Sequence, residues 1–384
     1  MKDCSRALLV NFILLVLACV TPPGVFAAKL VSSSTRDELV DKFDAMDQAI
    51  NKGEGYSRST NDNSVLAWAE SYLLEAYLDM FEATRNAKYL ASFVRHADRV
   101  VGNTDLKRGI TDYGGRSVVG WNSTHYSRNG ERLVWLVHSG MITYPLARFA
   151  WLVDNCMVVS YRSQALTYTN VAKSALAVFE KNWNYDASTG RGYYQFFADE
   201  PHSANSPNPP VPLPFNQQLA AGRTLIMLHK VTGNNEYREK AEALARHFRS
   251  NLKGNKGPYI WTYWYGKGLD RSKTIEDISH GAIDLDFAIL AYRSGIVFNR
   301  EDLSRFQETY EKNIHKSGTV ANTVDGRGEG RYKNAIGRWL ELAEFSCVPW
   351  KDFYAFYLLG DLGRHPEVML GTAKLVKYFD KCFK

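Results

Sequence analysis

Thr84-Arg85-Asn86-Ala87-Lys88-Tyr89 and, 148 residues later, Thr232-Gly233-Asn234-Asn235-Glu236-Tyr237 each close one helix and open another. Gly233 and Asn234 suit a left-handed helix stop followed by a turn. Small or apolar residues follow at matched offsets: Phe93, Ala97 and Val100 after Tyr89, and Ala241, Ala245 and Phe248 after Tyr237. Tyr168 begins a third copy with Ala172, Leu176 and Phe179. The repeating unit is therefore a helical hairpin arranged around one core. Between Ser64 and Arg85 the apolar residues recur at three- and four-residue steps, which predicts a helix with one buried face. Strand-like alternation is sparse and best developed at Tyr259–Tyr265.

The copies diverge and carry long inserts at 105–132 and 199–214. Uniform repeats stack into open solenoids, whereas decorated ones fit a closed ring whose loops build a site. The expected fold is all-α: an (α/α) toroid of about six or seven hairpins in a single domain over 28–384. The proline-rich stretch 207–214 reads as a stiff loop over a cleft.

With 384 residues, 45% of them hydrophobic and 13% aromatic, the chain can bury a large core and is not a disordered polymer. Lys2 and Arg6, an apolar run from Ala7 to Val20, and Val25-Phe26-Ala27 read as a signal peptide over 1–27. A secreted or periplasmic protein with no membrane-spanning segment after cleavage is expected. Losing Lys2, Arg6 and Asp3 takes the formal charge from +6 to +5, which favours an acidic partner modestly. Basic residues form no stripe, so nucleic acid is not an expected partner. Three cysteines remain, Cys156, Cys347 and Cys382, enough for one bridge, and no Cys/His cluster has zinc spacing, so no metal or cofactor is expected. Asn122-Ser123-Thr124 is an N-glycosylation acceptor that would sit on a surface loop of a glycoprotein.

Chemistry concentrates in Thr274-Ile275-Glu276-Asp277-Ile278-Ser279-His280-Gly281. Asp277 or Ser279 can cap a helix here, which puts His280 in its first turn beside carboxylates, an arrangement suited to a general base. Tyr259-Ile260-Trp261-Thr262-Tyr263-Trp264-Tyr265 lies just upstream. Tyr263, Trp264 and Tyr265 suit a cleft wall, because aromatic faces stack on sugars and a phenol can transfer a proton. Trp261 alone reads as core. His138 interrupts an apolar helix and stands as a second base. Asn216 and Arg223 follow the proline loop, and Arg338 with Trp339 follows the glycine-rich stretch ending at Tyr332; amide and guanidinium groups at helix starts suit a carboxylate.

The hairpin repeats, Glu276-Asp277-Ile278-Ser279-His280-Gly281 and the aromatic run resemble the secreted α/α-toroid polysaccharide lyases that act on polyuronates such as alginate or glucuronan. The Asn-Asn-His motif of one alginate lyase family is absent. The resemblance implies β-elimination on an acidic polysaccharide, with His280 as base and His138 in reserve. It implies Tyr263, Tyr265 or Tyr332 as acid, Glu276, Asn216, Arg223 or Arg338 around the uronate carboxylate, and Trp264 and Trp339 as sugar contacts. The rival readings are a glycoside hydrolase using Glu276 with Asp284 or Glu341, a uronosyl C5-epimerase, and a non-catalytic glycan-binding or helical scaffold protein.

Overall fold

The computed structural model describes residues 23–197, 199–201, 211–265, 274–358, 360 and 362–383, with side chains from Arg36 onward. The expected leader lies mostly outside these residues, and 23–27 open the first helix. Among these residues, twelve of the helices alternate between two concentric layers. The outer layer holds α1 (Pro23–Ala49), α3 (Ala87–Gly102), α5 (Arg162–Ala177), α7 (Asn235–Asn251), α9 (Arg300–Glu308) and α11 (Val348–Leu358). The inner layer holds α2 (Ser71–Thr84), α4 (Leu136–Asn155), α6 (Phe215–Thr232), α8 (Ile278–Arg293), α10 (Ile336–Trp339) and α12 (Pro366–Lys377). Each inner helix packs on the next, and α12 returns to α2, so the ring is closed with six hairpins.

The two repeated hexapeptides fold alike. Arg85 (φ 60°) and Gly233 (φ 70°) end α2 and α6 in the left-handed conformation, and the Asn86 and Asn234 side chains accept the backbone N–H groups of Lys88 and Glu236 at 3.0 Å to cap α3 and α7. The one-faced helix expected for Ser64–Arg85 is corrected. Every residue from Ser71 to Phe81 is buried, because an inner helix is enclosed by an outer helix on one side and by the ring's own contents on the other. A π-helical turn at Leu66–Glu70 precedes it. The outer helix α3 has the single buried stripe that such periodicity describes. Gly140 marks where α4 and α6 approach most closely, since a Cβ there would lie 2.4 Å from the Ala221 nitrogen.

The six inner helices all begin at one end of the ring and finish at the other. Ionic groups fill the ring near the finishing end. Asp79 receives Arg148 at 2.5 Å, Lys374 at 3.1 Å and Lys377 at 2.8 Å, and Lys374 also pairs with Glu341. Burial works against the Asp79 charge, but Arg148, Lys374 and Lys377 together hold its pKa well below the usual carboxylate value. The Lys377–Asp79 pair joins residues 298 apart in sequence and seals the ring. Cys347 and Cys382 form a disulfide.

Strands are few among the described residues. A three-stranded antiparallel patch, β1 (Trp183–Asp186), β2 (Arg191–Phe196) and β3 (Val211–Pro212), lies between α5 and α6. The aromatic run 259–265 makes isolated bridges instead of a strand. Asn122 is 1% exposed and its side-chain oxygen accepts from Arg132. The expected surface loop for the glycosylation acceptor is therefore corrected: the folded chain leaves no room for a glycan on Asn122. No helix among the described residues is long and apolar enough to cross a membrane.

Candidate active site

A cavity of ≈ 480 Å³ opens at the end of the ring where the inner helices start. Tyr72, Val137, Asn216 and Gln217, Ser279 and His280, Arg338, and Glu367 come to it from the first turns of α2, α4, α6, α8, α10 and α12. Its wall is aromatic, with Trp68, Tyr126, Trp135, Phe196, Tyr263 and Trp264. Four of these elements, α4, α6, α8 and α12, truly begin there, each with a partial positive charge, and their convergence on one cavity favours an anionic ligand.

Asp277 is the N-cap of α8. Its Oδ1 accepts the backbone N–H groups of Ser279 and His280 at 2.8 and 3.0 Å, and its Oδ2 lies 2.8 Å from His280 Nδ1. One carboxylate thus starts the helix and orients the imidazole, leaving Nε2 as the ring's proton acceptor. Burial pushes the Asp277 pKa upward, but the hydrogen bonds and charge of His280 and the two backbone donors outweigh it and hold the carboxyl below its usual value. The His280 side chain is 37% exposed, lines the cavity and lies with its ring centroid 5.3 Å from that of Tyr263. The His280 imidazole and the Tyr263 phenol therefore line one opening.

Arg338 is 1% exposed and lines the same cavity. Its Nη2 donates to Ser279 Oγ and Glu367 Oε1, both at 3.1 Å, while Nε and Nη1 have no hydrogen-bond partner among the described residues. Its guanidinium also lies 5.0 Å from the Tyr72 ring centroid. Asn216, 2% exposed, presents an unpartnered side-chain oxygen. Buried polar groups are normally satisfied, so these point to a polar ligand in the cavity. Trp264 lines it as expected and is fixed by donation from Nε1 to the Pro212 carbonyl at 2.6 Å.

Other expected site residues lie elsewhere. Glu276 is fully buried behind His280, with Oε1 3.6 Å from Nδ1. Burial first, then Asp284 and Asp277, raise its pKa well above the usual value, and it does not line the cavity. Asp284 is likewise raised, mainly by burial, and accepts from Trp261 at 2.9 Å. Glu341 sits near the far end of the ring with Lys374. The carboxylate pairs suggested for hydrolysis, Glu276 with Asp284 or Glu341, therefore do not face each other across the cavity. Arg223 lies eight residues along α6 from Phe215, about 12 Å down the axis, where it meets Glu75 at 3.3 Å and Asp286 at 3.5 Å. Tyr265 stacks on Phe215 with centroids 4.4 Å apart and accepts from Gln218, away from the opening. Trp339 is core and donates to the Ile278 carbonyl at 2.8 Å. Tyr332 lines a neighbouring depression.

His138 is 1% exposed and packs behind Trp68, Tyr126 and Trp135. Burial, then the charge of His125, lowers its pKa to about 3, so it stays neutral, and the aromatic wall screens it from the cavity. The role of reserve base is corrected accordingly. Glu276, Asp277 and His280 offer three ligand atoms within 4.8 Å of one another. A cation there would need the buried Glu276 carboxyl in its charged form, which burial disfavours, and would break the Asp277–His280 hydrogen bond.

The sequence did not single out Tyr126. It comes from the 105–132 insert with φ 69°, an unusual conformation for a bulky residue, and stacks on His125 with centroids 3.9 Å apart. Nothing in its local pattern marks it. Phe196 and Glu367 were missed for the same reason: only ring closure brings β2 and α12 to the cavity.

The chain matches no known protein-family model and no curated protein. Solved structures do match. An inactive variant of an α-1,6-mannanase from Salegentibacter sp. HEL1_6, in complex with α-1,6-mannotriose, superposes with a TM-score of 0.55 at 12% identity over 89% of this chain and 98% of that one. An unsaturated glucuronyl hydrolase from Bacillus sp. GL1, responsible for the degradation of glycosaminoglycan, gives 0.54 at 14% identity over 90% and 96%. At these identities the likeness establishes the α/α toroid. Both neighbours are named as hydrolytic enzymes, so the likeness carries no specific support for a lyase.

Proposed function

We propose that the chain is an enzyme acting on an acidic poly- or oligosaccharide, and that it removes the proton at C5 of a uronic acid. The carrying observation is the shared opening of His280 and Tyr263 beside the unsatisfied guanidinium of Arg338. A proton next to a carboxylate becomes removable when the developing negative charge is stabilised, and low-dielectric surroundings strengthen that stabilisation. Arg338 Nε and Nη1, with the starts of α4, α6, α8 and α12, would hold and neutralise the carboxylate, and the Asn216 side-chain oxygen would accept from a sugar hydroxyl. His280 Nε2, set by the Asp277 contact to Nδ1, would take the C5 proton. In β-elimination the C5–H electron pair forms the C4–C5 double bond, the C4–O4 bond breaks, and Tyr263 delivers its proton to O4. In epimerisation the phenol would return a proton to the opposite face of C5 instead. The aromatic wall fits sugar rings.

Hydrolysis is the second reading, favoured by the hydrolytic neighbours that share the toroid. It requires two carboxyl groups about the scissile bond, and among the described residues lining the cavity Glu367 is the one carboxylate, already paired with Arg338. We therefore place it below proton abstraction. The test is to incubate the purified protein with alginate, glucuronan, glycosaminoglycans and α-1,6-mannan, following ultraviolet absorbance, new reducing ends and incorporation of solvent deuterium at C5. Elimination gives absorbance. Epimerisation gives deuterium without chain cleavage. Reducing ends without absorbance, above all from mannan, would reject proton abstraction and support hydrolysis.

A further inference from the structure

A depression of ≈ 520 Å³ lies beside the cavity, lined by Thr274, Asp277, Asn322, Arg327, Arg331 and Tyr332 among others. The two share a wall, because the Asp277 carboxylate that lines the depression holds His280, which lines the cavity, at 2.8 Å. Arg331 stacks over the Tyr332 ring, 5.1 Å from its centroid, and forms no ion pair among the described residues. Lys316 donates to the Gly328 carbonyl at 3.2 Å and among the described residues also has no carboxylate partner. Arg327 is neutralised by Asp325 at 2.8 Å. The Asp277 carboxylate, which lines the depression, directs both its oxygens to His280 and two backbone N–H groups. Among the described residues the depression and its rim keep two cations outside any ion pair and an aromatic face.

The loop that carries these groups is fixed. Gly326, Gly328 and Gly330 all have positive φ (93°, 62° and 76°). The Asn322 nitrogen donates to the Arg327 carbonyl at 3.0 Å, Gly330 donates to the Val320 carbonyl at 2.8 Å, and Arg331 donates through its backbone to Asn322 Oδ1 at 2.9 Å. A Cβ on Gly328 would lie 2.5 Å from Asn322 Nδ2, so the close turn depends on glycine. A surface arginine resting on a tyrosine is common, yet here it stands on a rigid loop across one side chain from the proposed base.

Resting on the reading that the cavity takes a uronic acid, we infer that this depression is a second acidic-sugar subsite, in which Arg331 and Lys316 take the carboxylate of another uronate of the same chain and Tyr332 supports its ring. The substrate is then a run of acidic sugars, not a single acidic sugar within a neutral chain. Tyr332, one of the three tyrosines that the resemblance offered as acid, becomes a platform.

The test compares wild type with R331E and K316E/R331E, one change on the loop and one on the strand residue beside it. In native gels containing alginate, wild type is retarded and the double variant much less so, while neutral mannan retards neither. In kinetics KM for the polymer rises about fivefold per lost cation, equivalent to about 1 kcal/mol, with kcat unchanged. Retardation by alginate that is equal in wild type and double variant overturns the subsite but leaves the proposed function standing. Retardation by mannan and not alginate overturns both.

Discussion

Replacing Asp277 by asparagine separates two tasks that one side chain performs. Asparagine caps a helix as well as aspartate, so acceptance from Ser279 and His280 at 2.8 and 3.0 Å survives and thermal stability should change by less than about 0.5 kcal/mol. The 2.8 Å contact to Nδ1 changes in kind, because an amide supplies no charge to stabilise the imidazolium that forms as the C5 proton leaves. A hydrogen bond to a charged group is worth about 1.5–3 kcal/mol, and each 1.36 kcal/mol on the barrier is about tenfold in rate. The predicted fall in kcat is therefore about 10- to 150-fold, with KM little altered. Asp277→Ala should lose a similar factor and in addition about 1 kcal/mol of stability with the cap. The assay is initial-rate kinetics on the substrate found in the panel, beside thermal melts of all three proteins. If D277N melts like wild type and keeps kcat within threefold, His280 is not oriented through Asp277 and the assignment of the base falls with it.

Three more outcomes follow from the same geometry. Tyr263→Phe should lower kcat by about 10² or more by removing the proton donor, whereas Tyr265→Phe should keep kcat and cost only about 1 kcal/mol in denaturant titrations for the lost Gln218 hydrogen bond. Glu276 has a raised folded pKa, so its contribution to stability is full below the unfolded value near 4.5 and is lost as pH rises toward the folded value; Glu276→Gln should melt above wild type at pH 7–8, with the gap closing below about pH 4.5. Reducing the Cys347–Cys382 bridge, which spans 35 residues, should cost about 3–4 kcal/mol in urea unfolding by the loop-entropy account.

The hairpin repeat was legible because its turn chemistry is local: a left-handed stop and an asparagine cap recur in Thr84–Tyr89 and Thr232–Tyr237, and no distant contact is needed to see them. The His280 turn was legible for the same reason, since cap, base and carboxylate lie within five residues. What failed were inferences about depth. Arg223 and Asn216 sit on one helix with similar chemistry in sequence, but one lies at the mouth and the other two turns below it, and only the direction of α6 in the ring decides which. Period-two reasoning puts Tyr263 and Tyr265 on one side of a strand, but the segment makes only isolated bridges, and Tyr263 lines the cavity while Tyr265 packs on Phe215. Tyr126 and Glu367 come from distant segments that the closed ring brings together, a relation that no local pattern expresses.

The Lys377–Asp79 pair also constrains how the ring is made. Synthesis proceeds from the amino end, so α2 leaves the ribosome nearly three hundred residues before its last partner. During that interval the Asp79 carboxylate lacks Lys374 and Lys377 and has every reason to stay in water, which holds α2 away from the mature arrangement. Final assembly must then wait for the last inner helix to arrive, and a ribosome stalled before residue 366 should present a protease-sensitive crescent of hairpins in place of a folded product.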